Sequence, residues 1–182
     1  KVIRATSVGN MQWDSNSSNT WSTSSINAYL NGEYLTSLGT LSDKIATTTW
    51  KVGGNTRPKL IEEKIPTVYE NEILNPESEV THNGKIGLMY VSDYGFAAEP
   101  SSWTKALTGF YYSEDRDWMY IGYEWTITRF SGVPEFVFSI QGGWVAGYDI
   151  TKYLAVRPTF YLISSVTYSG GNGTQDSPIH IN

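Results

Sequence analysis

Two imidazoles, His82 and His180, are the only histidine bases in this 182-residue chain. His82 falls in a Thr-His-Asn-Gly stretch that reads as a turn, and His180 sits in the terminal tail. A Ser-His-Asp triad needs its imidazole held rigidly beside a serine, so both are read as exposed loop histidines. Two histidines so placed also argue against zinc. Cysteine is absent, which removes disulfides, thiolate nucleophiles and cysteine-based zinc sites together. Carboxylates are more plentiful. Asp93, Glu99, Asp115, Asp117, Glu124 and Glu135 are candidates for an acid–base pair of the kind that cleaves glycosides, which needs two carboxyls facing each other across the bond. The competing reading, which is favoured, has Asp93 bonding its own turn and Glu124 exposed on a strand face. The run Ser113-Glu114-Asp115-Arg116-Asp117 gathers acids that can hold calcium. It lacks the spaced oxygen donors and glycine of an EF-hand loop, and Arg116 pairs more naturally with its neighbours. No catalytic residue, metal ligand or cofactor is assigned, with calcium alone left open.

Arg157, before Pro158 in an apolar stretch, reads as a buried or half-buried guanidinium satisfied by a carboxylate or by backbone carbonyls. Aromatic residues carry the stronger functional signal. Of 26 in the chain, 20 lie between Tyr90 and Tyr168. Trp103, Tyr111, Tyr112, Trp118, Trp144 and Tyr148 lie in or beside Gly- and Ser-rich loops. Their flat amphipathic rings stack on sugars or bury against proteins at low entropic cost, and these six are taken as the candidate ligand-binding residues. Trp125 and Phe160 are expected in the core.

The elements that must position these groups can be read from the pattern. Lys1–Val8 alternates as a short terminal strand would. Asp14–Thr20 is a polar loop. Ser22 or Thr23 then caps a helix whose face is Ile26, Tyr29, Leu30 and Tyr34, with Gly32 shortening or bending it. Ser42 caps a second short helical piece with Ile45 and Ala46 inward, before a strand at Thr47–Val52. Residues 53–84 hold six of the 18 acidic residues together with Pro58, Pro66 and Pro76. They read as a long acidic excursion with one strand at Pro66–Tyr69. Gly84–Ser92 reads as a buried strand entering a tight Asp93-Tyr94-Gly95 corner. Further strands are expected at Trp118–Thr128, Glu135–Gln141 and Leu154–Ser164, with a polar loop at Gly147–Lys152. The sum is an α+β chain of one or two early helices and antiparallel strands joined by long loops.

Bulk properties bound the function. The length fits one domain with a real core. A net charge of −5 and scattered Lys and Arg argue against nucleic acid. No apolar run reaches the ~18–20 residues of a membrane span. Low charge, many Ser, Thr, Asn and Gly, and abundant Tyr and Trp fit an exported protein, and Lys1 reads as the start of a mature or trimmed chain with no signal peptide visible.

Trp21–Asn31, Lys85–Ala98, Trp125-Thr126-Ile127, Gly142-Gly143-Trp144 and Ala155-Val156-Arg157-Pro158 together resemble the C-type-lectin-like superfamily, in a branch of bacterial surface domains found behind prepilin-like leaders. The resemblance implies a single C-type-lectin-like domain over 1–182 with an acidic insertion around 55–84. It is related in fold to formylglycine-generating-like enzymes and diversity-generating receptors. The former use catalytic cysteines, which this chain lacks. The Glu-Pro-Asn and Gln-Pro-Asp triplets of calcium-dependent lectins are also absent, with Glu99-Pro100-Ser101 nearest. The resemblance implies a non-enzymatic domain on a bacterial surface or appendage, binding a glycan or protein through loops between Glu99 and Tyr153. The alternative is the globular head of a pilin-like filament subunit that binds copies of itself, and a carbohydrate-active hydrolase is the third class.

Overall fold

The computed structural model describes residues 1–109, 122–172, 176–177 and 179–182. Within them the chain is α+β, with short helices and several mainly antiparallel sheets. The strands are β1 (Val2–Ile3), β2 (Asn10–Met11), β3 (Thr48–Lys51), β4 (Thr81–Gly84), β5 (Ile86–Gly87), β6 (Tyr123–Arg129), β7 (Phe136–Gln141), β8 (Trp144–Asp149), β9 (Leu154–Ala155), β10 (Thr159–Phe160), β11 (Tyr168–Gly170) and β12 (His180–Ile181). The helices are α1 (Ser25–Tyr29), α2 (Leu35–Ser37), α3 (Arg57–Ile61), α4 (Ile65–Tyr69) and α5 (Val91–Phe96).

The main sheet has the order β2-β9-β6-β7-β8, antiparallel except where β9 meets β6 in parallel. Side chains alternate across its central strands. Trp125, Ile127 and Val137 enter one hydrophobic core, and Phe138, Ile140 and Val145 enter a second. The first core also takes Trp13, Trp21, Ile26, Leu30 and Trp50, and the second takes Leu60, Ile61, Ile65, Val68 and Tyr94. Trp125 and Phe160 are core residues, as expected.

Several expected boundaries move. The first helix is capped by Ser24, whose hydroxyl accepts the Asn27 N–H at 3.2 Å. Ser22 and Thr23 belong to a 3-10 turn that buries Trp21. The helix widens to π geometry over Leu30–Tyr34, around Gly32, before closing as α2. Ser42 lies inside a 3-10 turn, Gly39–Lys44, and caps nothing, although Ile45 is buried. The loop before α1 is organised by buried Asp14, whose carboxylate accepts the N–H groups of Asn16, Ser18 and Ser25.

The acidic stretch is the largest correction. Pro66–Tyr69 is helical, because Pro66 occupies the first turn of α4, where its missing N–H costs nothing. Leu60, Ile61, Ile65 and Val68 are fully buried, so this segment builds the second core and is no surface excursion. The tight corner expected at Asp93 is the start of α5, with the Asp93 carboxylate accepting the Tyr90 N–H at 2.7 Å. Lys1–Val8 is a strand only at Val2–Ile3, though Arg4 and Val8 still donate to the carbonyls of Pro158 and Val156. Leu154–Ser164 splits into β9 and β10, which belong to different sheets, with Arg157-Pro158 between them. Part of the polar loop expected at Gly147–Lys152 is the end of edge strand β8. Gly142 and Gly143 turn β7 into β8 with φ of 60° and 94°, the pair of positive values a two-residue primed hairpin turn requires.

Candidate functional site

Tyr123 opens β6 two residues before buried Trp125, on the same face of the strand. Beside it β9 begins at Leu154, immediately after Tyr153. Tyr148, on β8, packs against the first core with its ring 6.1 Å from that of Trp125. These three tyrosines, with Asn10, Leu154 and Ala155, line a groove of about 400 Å³. Tyr123 and Tyr153 are 53% and 66% exposed, so their rings are available to a ligand.

The surroundings hold the groove in shape. Trp125 Nε1 donates to the Met11 carbonyl at 2.8 Å, and Gln12 Nε2 donates to the Thr151 carbonyl at 2.7 Å, fixing the β2 side. In the turn between Tyr148 and Tyr153, Asp149 accepts both the Thr151 N–H and its hydroxyl. Those two bonds keep the Asp149 carboxyl below its ordinary range. Directly behind Tyr123, Glu124 is fully buried and pairs through Oε2 with Arg157 Nε and through Oε1 with Nη2, both at 2.6 Å. Arg157 therefore does what its sequence context suggests. Glu124 does not lie exposed on a strand face, because an unpaired buried guanidinium would be far costlier than a buried ion pair. Burial pushes the Glu124 carboxyl up, against the hydrogen bonds and charge of Arg157.

The other expected ligand residues do not converge on this groove. Trp144 lines a separate shallow apolar hollow of about 390 Å³ with Arg57, Phe130, Val133, Phe136, Ala146 and Gly147. Trp103 stands edge-on to Phe96 at 4.9 Å and donates its indole N–H to the Ala98 carbonyl at 2.8 Å, packing against the second core. Tyr111, Tyr112 and Trp118 lie outside the described residues, as do Asp115, Asp117 and the rest of the run at 113–117 considered for calcium. Tyr123 and Tyr153 are not among the residues the sequence singles out. Their signal is a tyrosine at each start of a buried strand, aligned with the alternation of the strand itself.

The remaining chemistry-bearing groups are apart from one another. His82 is in β4 opposite Trp50 rather than at a turn, and burial pushes its imidazole down. His180 is exposed in β12, and Glu99 and Glu135 are exposed. Among the described residues no three His, Asp or Glu side chains gather as a metal site. One buried acid is not legible as a site in the sequence at all. Glu72 accepts the Val91 N–H at 3.0 Å, the Ser92 N–H at 2.8 Å and the Thr128 hydroxyl, and burial pushes its carboxyl up. It continues the helical spacing Ile65, Val68, Glu72, a pattern that puts a glutamate on an apolar face.

Comparison with family models, with curated proteins and with solved structures finds no match. Among the described residues no helix is long and apolar enough to cross a membrane.

Proposed function

We propose that this chain is a non-enzymatic binding domain of C-type-lectin-like fold, displayed on a bacterial surface or appendage, which takes a glycan in the groove of Tyr123, Tyr148 and Tyr153. The observation that carries the reading is the pair of half-exposed tyrosines flanking a preformed hollow on the end of a rigid sheet. Tyrosine faces stack on the apolar faces of sugar rings, and their hydroxyls reach the ring substituents. A hollow of about 400 Å³ suits a few sugar units. A stable protein partner would instead cover roughly 800 Å² on each side. Glu124 is engaged by Arg157 and Asp149 by Thr151, and neither lines the groove, which favours binding over hydrolysis.

A glycan array followed by calorimetry tests this. A bound glycan should lose at least tenfold in affinity with Tyr123→Ala or Tyr153→Ala, while the melting temperature stays within about 2 °C. Equal affinity in both variants would place the ligand elsewhere.

A second reading, the head of a filament subunit, is favoured by one feature. The hairpin of β11 and β12 exposes Tyr168, Ile179 and Ile181 beside a short two-stranded edge, a surface suited to a second copy. Ordered oligomers that appear with rising concentration, and vanish on truncation before Tyr168, would support it over the glycan reading.

A further inference from the structure

A second aromatic cluster lies away from the tyrosine groove and already holds a ligand of its own. Trp50, Tyr90 and Tyr161 surround the Lys1 ammonium, with Nζ 5.9, 4.6 and 5.8 Å from the three ring centroids. Trp50 lies 6.1 Å from Tyr90 and 5.7 Å from Tyr161, both at tilted angles, so the rings form walls rather than a stack. The Asp93 carboxylate closes the fourth side and contacts Lys1 Nζ directly. A small cavity of about 150 Å³ runs beside this cluster, bounded also by Tyr69 and Ser92.

The walls are fixed independently of Lys1. Tyr90 Oη accepts the Lys51 N–H at 2.8 Å, Trp50 Nε1 donates to the Gly84 carbonyl at 3.0 Å, and Asp93 caps α5 through the Tyr90 N–H. Gly87 makes room for the indole, since a Cβ there would come within 2.8 Å of the Trp50 ring. Lys51, at the same cavity, pairs with Glu79 at 3.2 Å and does not compete. Burial pushes the Tyr90 and Tyr161 phenols up, so both rings stay neutral.

Aromatic faces arranged around a point attract a cation, and a carboxylate at the same point adds a hydrogen-bond acceptor for an N–H donor. We infer that Trp50, Tyr90, Tyr161 and Asp93 form a binding site for a primary alkylammonium group, with the Lys1 side chain as its tethered occupant. A quaternary ammonium would meet the rings and have no N–H to give Asp93, so the site discriminates between the two. Lys1 holds the cage at an effective concentration on the order of millimolar, as short tethers do. A free amine therefore binds weakly until Lys1 is removed. Its side chain is still 19% exposed, so the cage opens to solvent on one side.

The test uses Lys1→Ala, which empties the cage without touching its walls, and follows the Trp50 indole N–H resonance, assigned by its loss in Trp50→Phe. n-Butylammonium chloride should shift that resonance saturably in Lys1→Ala and at least tenfold more weakly in the unaltered protein. Adding Asp93→Asn to Lys1→Ala should weaken it at least tenfold, and tetramethylammonium chloride should bind at least fivefold more weakly than n-butylammonium. Nα-acetyl-lysine methylamide distinguishes the source. Tighter binding than n-butylammonium points to a lysine carried on a polypeptide, and equal binding points to a small free amine. No saturable shift in a folded Lys1→Ala protein, with Lys1→Gln giving the same result, overturns the inference.

Discussion

In the groove, Tyr123 and Tyr153 leave more than half of their surface to solvent, whereas in the cage Trp50 and Tyr90 are buried around a cation the chain supplies itself. Each cluster stands beside one buried carboxylate, and the two are neutralised differently. Glu124, next to Tyr123, faces a guanidinium that carries a full compensating charge. Glu72 bonds the N–H groups of Val91 and Ser92, next to the cage residues Tyr90 and Asp93, and receives only neutral donors. The groove thus rests on an ion pair, although burial pushes the Glu124 carboxyl up as well. The cage rests on a buried carboxyl that meets only neutral dipoles, which holds the same segment at a higher electrostatic cost. Open aromatic faces on a firm support suit recognition of an outside ligand. Closed faces on a tunable support suit an internal contact that can be exchanged.

The contrast between groove and cage breaks most completely if the second core is removed. Excising residues 60–79 takes away Leu60, Ile61, Ile65 and Val68, all fully buried, along with Glu72 and Tyr69, which bounds the cavity beside the cage. Four such side chains contribute about 6–12 kcal/mol by burial, which is as large as the whole stability of a typical domain, about 5–15 kcal/mol. The shortened chain should therefore show no cooperative melting transition by circular dichroism and lose both sites together. A cooperative transition near that of the full chain would show the segment to be a dispensable insertion.

Arg157→Met separates the two sites at the next level of effect. It leaves Glu124 buried without its cation, a change that costs about 3–5 kcal/mol. Replacing both partners, as in Glu124→Leu with Arg157→Met, should restore most of that loss, because burying the pair itself is close to neutral against apolar residues. Chemical denaturation of the two single variants and the double variant measures the coupling. Additive losses would mean that the bidentate contact contributes nothing specific to stability.

Legibility in the sequence divides along the same physical lines. The α+β class, the helical face of Ile26, Leu30 and Tyr34, the strand at Glu135–Gln141 and the pairing of Arg157 are readable because local periodicity and residue type decide them. Strand β8 is not, since Trp144–Asp149 is half-exposed and carries glycine and alanine in place of an alternating apolar row. The role of 57–74 is hidden by composition. Glu62 and Glu63 face solvent between α3 and α4, and Glu70 just after α4, while the buried face is built by Leu60, Ile61, Ile65 and Val68; with helices this short no window of residues shows a full period. Tyr148 stands out by its aromatic character, but Tyr123 and Tyr153 meet it only through the parallel contact of β9 with β6, which no local pattern encodes.

Glu72→Gln sharpens the contrast with the smallest change. It exchanges a carboxyl that accepts from three donors for an amide that turns an N–H₂ group toward one of them, at a cost of about 1–3 kcal/mol. Its pH dependence is the more telling signal. The Glu72 carboxyl is raised above 4.5 in the folded chain, chiefly by burial, so between that ordinary value and the folded one the native state holds a proton that the unfolded state has lost. The contribution of Glu72 to stability is therefore full below the ordinary glutamate value and is lost as pH rises through the folded value, with no further change above it. Glu72→Gln carries no titrating group and lacks this decline. The difference in unfolding free energy between the unaltered protein and Glu72→Gln should thus shrink as pH rises from about 4.5, where glutamate ordinarily titrates, with the Trp50 resonance reporting the cage in parallel. A difference that stays constant over that range would mean that Glu72 titrates as an ordinary carboxyl, and that the contrast between the two supports is one of geometry alone.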